Sequence, residues 1–258
     1  MSEKAVYFLS DLHLGASYIP DRRKHEARIV DFLRSIAPNA GAVYFLGDVL
    51  DYWFEYRTVV PRGFVRFFGQ LASMADAGIR ITWITGNHDI WLFDYLRDEL
   101  GIRVIESPAQ GGIEEEIMGK RFCLTHGDTF GPQSGSYLFL RKIFHNRLCQ
   151  KLYASLNPRW TLPFAHGWSS QSRKGYGRAV NPEITPLKLK SLASAAKAYA
   201  EEHPQTSYIV MGHYHIAIDE PVTPWCRLIV LGDWISKDTY AVFDGNTLQL
   251  KHYEPQQH

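Results

Sequence analysis

Five apolar runs in this sequence each end on side chains able to hold a metal ion. "VYFLSDLH" ends on Asp11 and His13, "VYFLGD" on Asp48, and "ITGNH" on Asn87 and His88. "FCLTH" ends on His126, and "IVMGHYH" on His213 and His215. A glycine stands at nearly every one of these turns. One such ending would be read as a helix cap beside a surface histidine; five of them point to a shared site. Carboxylate, amide oxygen and imidazole, with no thiolate, suit hard to borderline divalent cations. The set exceeds what one ion needs and suffices for two if one carboxylate bridges. Two divalent ions about 3.5–4 Å apart activate water and clamp a phosphoryl group for in-line displacement.

The elements that must position these groups follow from periodicity. In an extended chain, side chains at i and i+2 share a face, so Asp11 and His13 are expected to converge just past a strand. Strands are expected at "AVYFL", "AVYFLGD", "RITWITGNHD", "KRFCLTHGD" and "TSYIVMGHYH". Between them, "RKHEARIVDFLRSI" and "GFVRFFGQLASMADAG" repeat apolar residues as amphipathic helices do, and "IWLFDYLRDEL" is expected to form a shorter one. The tail from Cys226 is expected to fold as antiparallel strands with a turn at Asp244-Gly245. Alternating strands and helices predict a layered α/β fold, in which sites form at the carboxyl ends of strands.

Residues 130–186 break the alternation and are expected to form a helical cap inserted into a core of residues 1–129 and 187–258. "YLFLRKIFHNRLCQKLYASL" carries apolar residues every fourth position from Leu140 to Leu156, which predicts one helix. The net charge of the chain is +1, but it is unevenly spread. No Asp or Glu occurs from Thr129 to Pro182, where eight Lys or Arg lie: Arg141, Lys142, Arg147, Lys151, Arg159, Arg173, Lys174 and Arg178. That field suits an anionic ligand or an anionic membrane surface met reversibly. Three cysteines without CxxC spacing are read as reduced thiols. The first apolar run is too short for a secretory signal and no stretch approaches a membrane span, so a cytoplasmic protein is expected.

The ordered blocks D-x-H, G-D, G-N-H-D, H-G-D and G-H-x-H resemble the calcineurin-like metallophosphoesterase family. The resemblance implies a sandwich of two β-sheets flanked by helices, and two divalent metal ions, expected to be Mn2+. It implies that Asp11, His13, Asp48 and His215 hold one ion, and that Asp48, Asn87, His126 and His213 hold the other. His88 would stabilise charge on the phosphoryl oxygens or protonate the leaving group, with Asp89 orienting it. Asp51, Asp128 and Asp233 are expected behind the ligands rather than among them.

"GDVLDYW", the basic aromatic cap, "SSQSRKG" and "VLGDW" further resemble the branch of that family acting in lipid A biosynthesis. This implies hydrolysis of a UDP-linked acylated glucosamine at its diphosphate, on the cytoplasmic face of a bacterial inner membrane. Substrate contacts are expected from Arg141, Phe144, Arg147, Leu148, Lys151, Ser172, Arg173 and Lys174. His88 stands where that branch is expected to carry arginine, which keeps another nucleotide diphosphate or phosphodiester open as substrate. A nuclease, or a non-catalytic scaffold on the same fold, fits less well. No nucleic-acid or protein partner is expected.

Overall fold

Strand β1 (Ala5–Leu9) shows how the layers arise. Its residues alternate between two apolar environments: Val6 and Phe8 enter one buried cluster, Tyr7 and Leu9 another. A strand buried on both faces must be covered on both. In this computed structural model, which describes residues 4–157 and 186–254, one face meets helices and the other a second sheet.

The first sheet has the order β11-β10-β1-β2-β3-β4. Here β2 is Ala40–Leu46, β3 Arg80–Ile84, β4 Arg103–Ile105, β10 Thr239–Phe243 and β11 Leu248–His252. Its outer face carries α1 (Arg22–Ile36), α2 (Val65–Asp76) and the short α3 (Tyr95–Leu100). The second sheet has the order β5-β6-β7-β9-β8. Its strands are β5 (Ile113–Ile117), β6 (Lys120–Leu124), β7 (Thr206–Met211), β8 (Ala217–Pro221) and β9 (Arg227–Leu231). Phe8, Phe122, Val210, Ile229 and Phe243 fill the space between the sheets. Helix α6 (Pro186–Glu202) lays Leu192, Ala196 and Ala200 over the outer face of the second sheet. The result is the expected two-sheet sandwich flanked by helices.

Strands β1, β2 and β3 run parallel, as do β6, β7 and β9. Their carboxyl ends carry the five polar endings of the sequence.

The tail differs from expectation. Strand β9 joins the second sheet parallel to β7, while β10 and β11 form an antiparallel pair in the first. Strands β4, β5 and β8 were not anticipated: β4 is three residues long, β5 carries three consecutive glutamates, and β8 is only partly buried, so none shows a clean apolar alternation. The expected long cap helix is two, α4 (Gly135–Phe144) and α5 (Arg147–Ala154). Asn146 breaks it by accepting from the Leu148 and Cys149 amides, the N-cap alternative to continuing a helix. Helix α3 is shorter than expected because Glu55 takes the amides of Phe93, Asp94 and Tyr95, fixing its start.

One buried histidine ties α1 to the polar edge. His25 Nε2 donates to the Leu12 carbonyl at 2.7 Å, and Arg28 donates to His25 Nδ1 at 3.0 Å and to the Trp234 carbonyl at 2.6 Å. Burial, with Arg28 and His13 nearby, pushes His25 down to about 4 from an ordinary 6.5. The native ring is therefore neutral while the unfolded chain gains a proton below 6.5. This stabilisation, on the order of 3 kcal/mol, is full above about pH 6.5 and is lost as pH falls towards 4. Denaturant unfolding of wild type and His25→Gln between pH 7.5 and 4.5 should show the gap in stability narrowing as pH falls. A constant gap would mean that His25 is not held neutral.

Candidate metal centre

Asp11 and His13 do converge, but not by strand alternation. Both lie in the left-handed region, at φ 55° and 45°, as do Asp48 (53°), His213 (70°) and His215 (53°). An L-residue there costs roughly 1–2 kcal/mol, and strain of this kind persists only where the surroundings enforce it. Here paired loops enforce it. Asp11 N donates to Gly47 O, His13 N to Asp48 O, and Asp51 N to Leu14 O, each at 3.0–3.1 Å. Gly212 N donates to His126 O at 2.9 Å in the second sheet, and Trp234 N to Asp11 O at 3.1 Å from one sheet to the other.

The structure brings seven side chains to one place. Asp11, His13 and His215 form one cluster of ligand atoms within 4.8 Å of one another; Asp48, His126 and His213 form a second. Asp48 Oδ2 reaches into both, 3.3 Å from His126 Nε2 and 3.8 Å from His13 Nε2. Asn87 Oδ1 lies 3.1 Å from His126 Nε2. The rings of His13 and His215 stack at 5.1 Å.

Three of the four candidate imidazoles are held from behind. His13 Nδ1 faces Asp51 Oδ1 at 3.3 Å, His215 Nδ1 faces Asp233 Oδ2 at 3.7 Å, and His126 Nδ1 donates to Leu46 O at 2.8 Å. All three present Nε2 inward, the arrangement in which an outer partner fixes the tautomer of a metal ligand. Asp233 is itself anchored by the amides of Ile235 and Ser236. Ser10, not foreseen from sequence, donates to Asp11 Oδ2 and to the Leu46 carbonyl.

Electrostatics agree with this geometry. Burial raises the Asp48 carboxyl, but His126, His88 and His13 outweigh it and hold it well below the usual range. Burial likewise opposes Asp11, yet His215 and His13 keep its carboxyl low. Burial and His126 press His213 down to about 4, so its ring is neutral at pH 7. Asp11 Oδ1 is buried with no hydrogen-bond donor, although His13 Nε2 and His215 Nε2 stand 3.7 and 3.5 Å away. A buried anionic oxygen facing two imidazole nitrogens, with no donor between them, fits a divalent cation.

His88 lies beside the cluster, its ring edge-on to His13 at 5.0 Å and its Nε2 3.9 Å from Asp48 Oδ2. The Asp51 carbonyl orients it, accepting from Nδ1 at 2.9 Å. Asp89 does not take that part. Its carboxylate accepts from the amides of Gly86 and Val49 and from Trp83 Nε1. It therefore braces the loops of Asp48 and Asn87. Burial and the neighbouring Asp48 raise it to about 6.

Among the expected substrate contacts, two are committed elsewhere. Arg141 donates to the Ser107 carbonyl at 2.7 Å and lies near Asp128, while Phe144 packs edge-on against Trp91, whose Nε1 donates to the Phe144 carbonyl. With the Tyr52–Tyr153 hydrogen bond and the Tyr137–Asp128 bond, these contacts seat α4 and α5 on the core. Arg147, Leu148 and Lys151 are exposed on α5. Ser172, Arg173 and Lys174 lie outside the described residues.

A two-sheet α/β sandwich with this oxygen and nitrogen donor set at one edge defines a metal-dependent hydrolase. The chain belongs to the calcineurin-like phosphoesterase family, whose profile matches residues 4–217, and that family implies a dinuclear divalent-metal site. A UDP-2,3-diacylglucosamine hydrolase from Porphyromonas gingivalis is 40% identical to it over 96% of this chain and 97% of the relative. One of the same name from Actinobacillus succinogenes is 29% identical over 89% and 91%. Among solved structures, a dimetal phosphatase from Danio rerio gives a TM-score of 0.48 at 15% identity, covering 97% of this chain and 96% of that one.

The glycines of G-N-H and G-H-x-H make the carboxylates' position testable. A Cβ at Gly86 would collide with the Asp48 carboxylate, and one at Gly212 with Ser10 Oγ and the Asp11 carboxylate. Gly86→Ala and Gly212→Ala should each weaken metal binding on the order of 10–100-fold while the circular dichroism stays native. Unchanged metal affinity would show that these glycines do not set the ligand geometry. Asn87→Ala or His213→Ala should lower bound metal from two ions per chain towards one, read by elemental analysis; two ions retained would remove that residue from the ligand set.

Proposed function

We propose that this protein hydrolyses the diphosphate of UDP-2,3-diacylglucosamine, releasing UMP and 2,3-diacylglucosamine 1-phosphate in lipid A biosynthesis. The observation that carries this is the pair of donor clusters sharing Asp48 in a chain 40% identical, nearly end to end, to a hydrolase of that name. Asp11, His13, Asp48 and His215 would hold one ion, and Asp48, Asn87, His126 and His213 the other. Mn2+ suits this mixture of imidazole and oxygen donors. When bound, such a pair supplies Lewis-acid activation of water and of a phosphoryl oxygen.

The protein's own groups do the rest. Asp48 sets the separation of the two sites. With its Nδ1–H fixed on the Asp51 carbonyl, His88 has Nε2 as the atom that takes up or releases the reacting proton. Protonated, that atom stabilises charge on the phosphoryl oxygens or on the departing phosphate. Asp51 orients both His13 and His88, so one residue aligns a ligand and the acid–base group.

The cap, residues 130–186, would recognise the lipid. On α5, Leu148 and Leu152 are 66% and 61% exposed, with Leu156 following at 50%, and Arg147 and Lys151 border them. Sequestering about six methylenes would contribute roughly 5 kcal/mol, enough for acyl chains to dominate recognition. Among the described residues no helix is long and apolar enough to cross a membrane. Reversible contact with the cytoplasmic face of the inner membrane is the corresponding proposal for location.

Metal-stripped protein, with and without Mn2+, should be given UDP-2,3-diacylglucosamine and UDP-N-acetylglucosamine, and UMP release followed. Mn2+-dependent cleavage of the acylated compound alone is expected. Activity on a simple phosphodiester with neither UDP compound cleaved would overturn the substrate assignment. Leu148→Asp with Leu152→Asp should slow the diacylated substrate at least about tenfold and leave a small phosphodiester unchanged; equal losses on both would make the leucines structural.

A further inference from the structure

We propose that the rim built from the start of α1, the loop between β2 and α2, and the start of α2 is a docking surface for a bilayer carrying anionic phospholipids. The lipid substrate proposed above is the reason to visit a membrane, but the surface itself rests on separate observations. Arg22, Arg23, Lys24, Arg57, Arg62 and Arg66 are all exposed there, and none of these side chains makes an ion pair among the described residues.

The two neighbouring carboxylates are engaged with backbone. Asp21 accepts from the Lys24 amide, and Glu26 of α1 accepts from the amides of Arg66 and Phe67 in α2. The Glu26 bonds also hold the two basic segments side by side. Val59 and Val65, 55% and 77% exposed, add apolar surface within the same loop and helix start.

The rim adjoins the metal centre. Phe64, at φ 59°, has its ring against Gly15, two residues beyond His13, and packs with Trp53 and Phe68. The loop is thus pinned against the turn that follows Asp11 and His13.

Four of the six charges, Arg22, Arg23, Lys24 and Arg66, sit in the first turns of their helices, where together they outnumber the carboxylates that cap those ends, Asp21 on α1 and Glu26 on α2. A cation there opposes the helix dipole. Fold stability does not account for this placement, whereas attraction to a negatively charged surface does. A nucleic acid is the weaker occupant, because the rim offers aliphatic side chains rather than exposed rings on which bases stack.

The test uses the full chain loaded with its metal ions, sedimented with vesicles of phosphatidylcholine alone or containing about 30% phosphatidylglycerol. Wild type should bind only the anionic vesicles and release as salt rises. The combined substitution R22Q/R23Q/R62Q/R66Q should reduce partitioning at least about tenfold. Its Tm should be unchanged or raised, and its UMP release from detergent-dispersed substrate unaltered. Undiminished vesicle binding by that variant would overturn the proposal, as would absence of wild-type binding. So would loss confined to Leu148→Gln with Leu152→Gln, or retention of a DNA duplex in place of vesicles. Failure of UMP release with vesicle binding intact would sink the catalytic reading and leave the docking surface supported.

Discussion

A carboxylate buried where two sheets meet, Asp48, is the constraint around which this molecule is arranged. Its Oδ1 accepts from the His88 amide, while Oδ2 faces imidazoles from both sheets. An isolated buried anion is costly, so positive charge must surround it. The six-stranded sheet sends His13 and His88 towards it, and the five-stranded sheet sends His126. The parallel strands must therefore end level with one another across the sandwich. That requirement is met by the apolar interior, where Phe8, Phe122 and Val210 set the sheets face to face.

Most of the centre was legible in the sequence because metal-binding side chains rarely follow apolar strand runs so regularly. The route by which they converge was not. An extended continuation after Leu9 would also have put Asp11 and His13 on one face, so the spacing gave the right answer for a reason the structure replaces. Left-handed backbone at an aspartate or histidine leaves no mark on composition; it is enforced by carbonyls two loops away. The outer support was equally hidden. His25 and Arg28 read as ordinary helix residues, and their partners are backbone carbonyls of Leu12 and Trp234, 13 and 206 positions distant in the chain.

The cap shows the opposite error. Its fourfold apolar repeat ran through His145 and Asn146 without a visible break, and Arg141 and Phe144 looked like substrate contacts by type. Asn146 was the signal that could have been used, since it is a preferred N-cap. Once the helix breaks there, the two halves face differently: Phe144 packs onto Trp91, whereas Leu148 and Leu152 remain exposed.

The donor set draws on both ends of the chain. Asp11 and Asp48 come from the first fifth, and His213 and His215 from beyond residue 210. Cys123, Cys149 and Cys226 are all free thiols, so no sulfur cross-link ties these distant stretches. Cations held by the candidate donors of both sheets would take that role, a staple closing a loop of some two hundred residues. Ions held in that way would serve as the clasp of the tertiary structure as well as the centre of the chemistry, so a cell short of metal would lose rigidity in this protein together with activity.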